Sequence, residues 1–379
     1  MVNDVREAAH QGWGPTSISA GVLSLASLGD VLLYVVLPVS AAAFGVGIAW
    51  VGVLLAANRL TRIVLYGAVA AFGQSAGSRV LAIVSAMAAA GSTLILWKGD
   101  GGPVLLCARI VWGLAFAGLS LAALSYAVAD RERAGSRVGV SRAINQMGPA
   151  LSLSVGAWLA GVLGPRDVFL VLGLVSLLAV PLAFALPKDS VRADREKTQW
   201  LPKPQRFDLF FFVVGFAVDG VFAMTVALML AKSASAETAM LAAGLILALR
   251  RFGEVLLAPV GGFLGDRFGT GKVLFLATVL LAGGFVVLAA GAAYPGSMLI
   301  IAARAAIAAL GPAVVAQRAK GEATLHRLAV MQTWRDFGAA VGPLVTGILL
   351  EMASLSLINV ALVVLVALSL LAHRPPTSA

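Results

Sequence analysis

Twelve charged side chains lie inside long apolar stretches of this sequence, away from the ends of those stretches. Four are carboxylates, Asp30, Asp219, Glu254 and Asp336, and eight are arginines, Arg59, Arg62, Arg109, Arg142, Arg250, Arg251, Arg304 and Arg335. A charge in a bilayer core costs roughly 2.5 kcal/mol or more on insertion scales, so such residues are functional candidates by default. Their types point to two chemistries. A carboxylate in an apolar setting can take up and release a proton. A guanidinium presents a planar fork of donors that fits a carboxylate or a phosphate. Even with each carboxylate paired to one arginine, positive charge remains to attract an anion. Arg59, Arg62, Arg109, Arg250, Arg251 and Arg304 are therefore the candidate substrate contacts, with Trp112 and Asn145 beside them. Asp30, Asp219 and Glu254 are the candidate proton-coupling groups.

Each assignment has a structural alternative. Asp30 and Asp219 could form ion pairs with Arg62 or Arg251. Arg251 and Glu254 stand three residues apart, so they can pair along one helix face. Arg142, Arg335 and Asp336 lie nearer a membrane surface, where they can snorkel or latch a gate. Asn145 and its neighbour Gln146 could join helices instead of contacting substrate. Trp50, Trp97 and Trp158 read as interfacial or packing residues, whereas Trp112 and Trp334 neighbour intramembrane arginines.

Other chemistries find no support. No His-rich, paired-carboxylate or metal-ligand pattern lies at one depth, so no catalytic residue, metal or cofactor is expected. Cys107 is the single cysteine, which allows neither an intrachain disulfide nor zinc spacing, and it reads as a small buried residue. Met224 and Met229 are five apart, a poor same-face spacing, and no histidine lies in an apolar run. Gly73-Gln74-Ser75-Ala76-Gly77 matches a nucleophile-elbow pattern, but that pattern needs a preceding strand. A long apolar segment precedes it here. No phosphate-cradling G-x-x-x-x-G-K-[ST] loop is present.

The elements that carry these residues are membrane helices. Hydrophobic residues make up 60% of the chain and charged residues 12%, about half the charge of a soluble domain. Apolar runs fall at about 17–43, 49–72, 80–97, 103–129, 138–164, 168–187, 207–231, 238–264, 273–293, 297–316, 328–351 and 354–372. Each is near the roughly 20 residues that cross a bilayer. Of the Lys and Arg outside these runs, seventeen fall on one side and three (Lys98, Arg166 and Lys232) on the other. The richer side is the cytoplasm, which places both termini there. The net charge of +10 forms no single patch, which argues against a nucleic-acid partner. The first run is too long for a signal-peptide core. The expected organisation is a cytoplasmic tail over 1–16, a six-helix half over 17–187, a polar cytoplasmic linker over 188–206, a second half over 207–372 and a tail over 373–379.

An internal repeat relates the halves. Gly52 to Val80 aligns without a gap to Gly244 to Lys272, setting Arg59 against Arg251, Gly73 against Gly265 and Gly77 against Gly269. Met147-Gly148-Pro149 matches Val341-Gly342-Pro343. The charged positions fall in every span except the third, sixth, ninth and twelfth.

The segment Gly262-Phe263-Leu264-Gly265-Asp266-Arg267-Phe268-Gly269 with Lys272 resembles the cytoplasmic loop motif of the major facilitator superfamily. Arg109 four residues before Gly113 resembles that family's fourth-helix motif, and Gly338 to Pro343 its glycine-proline motif. The resemblance implies an all-α membrane protein of twelve transmembrane helices in two six-helix pseudo-symmetric halves. In that fold the four uncharged spans face lipid and the other eight enclose a central cavity. It also implies a latch in which Asp266, Arg267 and Lys272 pair across the cytoplasmic helix ends, with Gly265 and Gly269 letting those ends approach. The first copy has Gln74 and Ser75 in place of the Asp-Arg pair but keeps Gly77 and Arg79, so its latch is expected to be weaker or completed by other groups such as Asp130. The expected function is secondary active transport of a small, anionic organic solute across a bacterial inner membrane. Alternating access, proton coupling and a monomer in the lipid bilayer are expected, with export favoured over import of an organic anion, vitamin or metal chelate. A receptor or scaffold of the same fold is the non-transport alternative, but the longest loop is only about 20 residues.

Overall fold

The structure is a computed structural model that describes residues 12–188, 205–223, 225, 226, 229, 236–319 and 324–370. Most of the expected N-terminal tail, linker and C-terminal tail lie outside these residues, as do Met224 and Lys232. Helix occupies each of the twelve apolar runs, and no strand occurs among the described residues. Eight of the helical spans are long and apolar enough to cross a membrane.

The first span starts earlier than expected, at Trp13 instead of residue 17. Pro15 and Thr16 fall in its first turn, where a proline costs no intrahelical bond. The span is two helices, Trp13–Ala26 and Leu28–Val39. They break at Ser27, whose hydroxyl donates to the Leu23 carbonyl at 2.7 Å. The second, third and fourth spans are Ile48–Ala76, Ser78–Lys98 and Gly102–Ala127. The fifth runs Ala134–Leu151, a π-helical turn Ser152–Gly156, then Ala157–Leu163. Pro149 lacks the N–H for a regular bond and clashes one turn back, so the wide turn follows it. The sixth is Asp167–Leu177 with Ala179–Phe184.

The seventh span opens at Arg206–Val214, and Gln205 and Asp208 form a capping box at its start. It continues as a π-helix, Gly215–Phe222, that carries Asp219. The remaining spans are Ala236–Phe268, Thr270–Ala289, Ala293–Arg318, Thr324–Met352 and Leu355–Ser369.

The chain forms two compact units. The first is Met1–Arg131, Ser141–Leu201 and Ala319–Ala329, and the second is Glu132–Val140, Pro202–Arg318 and Val330–Ala379. Two short segments thus group with the unit opposite their place in the sequence. In the second unit Gly135 and Gly139 lie on the backbone of the eighth span, where a Cβ at Gly139 would meet the Pro259 Cα at 2.8 Å. In the first unit Arg131 donates to the Ala319 carbonyl at 3.2 Å.

Packing inside the two units repeats. The second span packs on the fourth, the third on the fourth, and the third on the sixth. The eighth packs on the tenth, the ninth on the tenth, and the ninth on the twelfth. The first unit's core holds Leu32, Leu33, Phe44, Leu96, Leu105 and Phe169. In the second unit Phe212 packs against Trp334 and Phe337.

Outward faces are apolar, as at Trp158, Leu256 and Phe263, which suits hydrocarbon contact. Cys107 belongs to this class: it is exposed, not buried as its apolar surroundings predict. In a lipid-facing helix, apolar sequence does not separate inward from outward positions.

Candidate functional site

In each unit an aspartate of the unit's first span meets an arginine of its fourth. In the first, Asp30 follows Gly29, whose missing side chain lets the span press on Thr93. Arg109 Nη1 meets Asp30 Oδ1 at 2.5 Å, and the arginine side chain is 1% exposed. Arg109 Nε donates to the Leu54 carbonyl at 2.9 Å. Gly113, one turn on, permits that reach, because a Cβ there would stand 2.7 Å from the Asn58 carbonyl oxygen. Asn58 Nδ2 donates to Asp30 at 3.3 Å. Tyr34 closes the cluster: its hydroxyl donates to the Leu55 carbonyl at 3.1 Å, and its ring lies 5.6 Å from the Arg109 guanidinium.

The second unit carries the counterpart. Asp219 presents one oxygen to each of two arginines, Oδ1 to Arg250 Nη1 at 2.8 Å and Oδ2 to Arg304 Nη2 at 3.1 Å. The side chains are 17%, 23% and 8% exposed in that order. The π-helical turn sets Asp219 beside a close crossing of Gly220 and Gly342, where an added Cβ on Gly220 would lie 2.7 Å from the Gly342 Cα. A π-turn at an ionisable residue is a frequent mark of a functional position. Glu254 is buried and Arg251 half-buried in the same unit. Arg335 Nη2 pairs with the adjacent Asp336 at 3.0 Å.

The partners differ from those expected. Asp30 takes Arg109 rather than Arg62, and Asp219 takes Arg250 and Arg304. Arg62 is buried with its guanidinium 4.5 Å from the centre of the Phe116 ring. Arg59 and Arg142 are half-buried. Trp112 is 1% exposed and packs on Phe116, with no hydrogen-bond partner for its Nε1 among the described residues. It is a packed residue rather than one that lines open space. Asn145 likewise holds a buried Oδ1 without a partner among them. Sequence reasoning missed Tyr34 and Asn58, because neutral residues in apolar runs carry no penalty to flag them. The repeat held the signal for Asn58, since it aligns with Arg250.

The loop motif also takes a different form from the expected latch. Asp266 accepts from the Gly135 and Ser136 amides at 2.9 and 2.7 Å. Arg267 and Lys272 are exposed, and Arg267 lies against the Phe268 ring. The carboxylate thus caps the amino end of the Ala134 helix, whose first N–H groups have no intrahelical acceptor. Gly77 and Gly269, aligned in the repeat, both have positive φ, 91° and 99°, at the corresponding tight turns. Arg79 donates to the Phe184 carbonyl, and Asp130 is half-buried. Among the described residues, no three His, Cys, Asp or Glu side chains converge to hold a metal.

Comparison with known proteins agrees with this architecture. A sequence model described as Major Facilitator Superfamily matches residues 209–379. An uncharacterized MFS-type transporter of Mycobacterium tuberculosis, Rv0849, is 32% identical over 114 residues. That match covers 29% of this chain and only 27% of the relative's length. Among solved structures, the human organic anion transporter MFSD10 (TETRAN) superposes with a TM-score of 0.75 at 16% identity, covering 95% of this chain and 99% of that one. The Escherichia coli fucose:proton symporter FucP gives 0.76 at 13%, covering 96% and 99%.

Proposed function

We propose that this chain, a membrane transporter that belongs to the major facilitator superfamily, moves a small anionic organic solute by proton-coupled alternating access. The observation that carries this reading is the Asp219 trio. One carboxylate holds two arginines, so a substrate carboxylate or phosphate can take over one guanidinium while Asp219 keeps the other. An anion that engages Arg250 or Arg304 competes with Asp219 for its donors, and a proton taken up by Asp219 frees those donors for the anion. By linkage, anion and proton then favour each other's binding.

Asp30 and Glu254 are further coupling candidates. Arg59, Arg62, Arg109 and Arg251 supply the remaining intramembrane positive charge. The charge bias of the loops supports cytoplasmic termini in a bacterial inner membrane, and the protein acts as a monomer. Alternating access presents the Asp219 cluster to each side of the membrane in turn, as in transporters built from repeats. Asp266 on the Gly135 and Ser136 amides, with Arg79, Asp130, Arg142, Arg335 and Asp336, forms the gating set. Short loops and the Gly148-Pro149 pair favour export. That one fold neighbour is an organic anion transporter and another a proton symporter is compatible with both features, although fold alone carries no substrate.

A thermal-shift screen of the purified protein tests the reading. Carboxylates, phosphates and metal chelates are expected to raise its unfolding temperature. Stabilisation by cations or neutral lipophiles alone would overturn it.

A further inference from the structure

The two clusters share a plan and differ at three points. Each has an aspartate from its unit's first span and an arginine from the fourth. Each has a polar side chain from the second span, at positions that align in the repeat. In the first unit that side chain is Asn58, which is neutral and 2% exposed. In the second it is Arg250, which is charged and 23% exposed.

The second difference is the residue four positions after each aspartate, one helical turn on. In the first unit this is Tyr34, which lies over Arg109 and bonds the second span. In the second it is Ala223, too small to cover the pair.

The third difference lies in the fork of the fourth-span arginine. Arg109 Nε is satisfied by the Leu54 carbonyl. Arg304 Nε is buried and has no acceptor among the described residues, although the neighbouring Nη2 holds Asp219. A buried donor left without a partner is unfavourable, so the site gains when an acceptor arrives.

We infer that recognition of the substrate's anionic group is confined to the second unit, with Arg250 as the specificity-determining contact and Arg304 Nε as a second donor. This rests on the transport reading above and narrows it. The ligand class is an organic carboxylate or phosphate whose two oxygens can engage both arginines. The Asp30–Arg109 pair is then a closed counterpart: neutral overall, covered by Tyr34, and satisfied at Nε.

Isothermal titration of the full-length purified chain with citrate and with inorganic phosphate tests the assignment. Two variants give the second unit the first unit's features: Arg250→Asn removes one of the two guanidinium groups that hold Asp219, and Ala223→Tyr adds the cover while leaving every charge in place. The wild type is expected to bind at least one of the two anions, and each variant to bind it roughly tenfold or more weakly, the scale of one lost charged hydrogen bond. If Arg250→Asn loses its cooperative unfolding transition, Ala223→Tyr decides. Wild-type affinity in the folded variants overturns the assignment to the second unit and leaves the anion reading intact. Binding of neither anion by the wild type overturns the anion reading itself.

Discussion

A guanidinium can stay charged away from water only while carboxylate and carbonyl oxygens surround it. Arg109 meets that condition through Asp30 and the Leu54 carbonyl. Removing one partner of a buried pair leaves the other uncompensated, at a cost of about 3–5 kcal/mol. Asp30→Ala is therefore expected to lower the unfolding temperature sharply. Replacing both partners, as Asp30→Asn with Arg109→Gln, should recover most of the loss, and thermal unfolding in detergent measures both. Arg62→Gln is expected to lower the unfolding temperature too, because that guanidinium is buried against the Phe116 ring. The identities of the charged site residues were legible in the sequence, because an ionised group in an apolar run stands out. Their partners were not. Depth along a helix is readable to within a turn, but the face each helix turns to its neighbour is set by packing, so the sequence offered Arg62 rather than Arg109 for Asp30.

At the scale of helices and turns, the repeat made the tight connections legible. Gly77 and Gly269 align, and both adopt a φ that L-residues rarely take. Gly77→Ala is expected to cost of order 1–3 kcal/mol, the strain of a non-glycine residue in that region, read from the same unfolding transition. The role of Asp266 was half-legible: the motif marked it, but its acceptance from the Gly135 and Ser136 amides depends on a helix end more than a hundred residues away in sequence. Asp266→Ala removes two charge-assisted bonds and a favourable charge at a helix amino end, about 1–2 kcal/mol. A cysteine placed at Ser136, in a chain with Cys107→Ser to remove the exposed native thiol, should then react faster with a maleimide. An unchanged rate would deny the cap a closing role. The π-turns at Ser152–Gly156 and Gly215–Phe222 were not legible beyond Pro149. A wide turn has no residue signature of its own and arises where a helix accommodates its neighbours.

For the molecule as a whole, the twelve apolar runs and the two-fold repeat predicted the all-helical architecture, and the structure carries helix at each run. The exchange of Glu132–Val140 and Ala319–Ala329 between units was not foreseen. Those segments are too short and too polar to carry a packing signal. What the structure adds is an inequality between related clusters: one carboxylate against one arginine in the first unit, and one against two in the second.

On the proposed reading, the two arginines that hold Asp219 bind an anion whose movement is tied to protons through that carboxylate. Proteoliposomes holding the wild type or Asp219→Asn, loaded in turn with citrate, benzoate and glycerol phosphate under an imposed pH gradient, test it directly. The wild type should move at least one of these anions at a rate that follows the gradient, and Asp219→Asn should lose that response. Wild-type transport indifferent to the gradient, or movement of cationic solutes alone, would contradict the account.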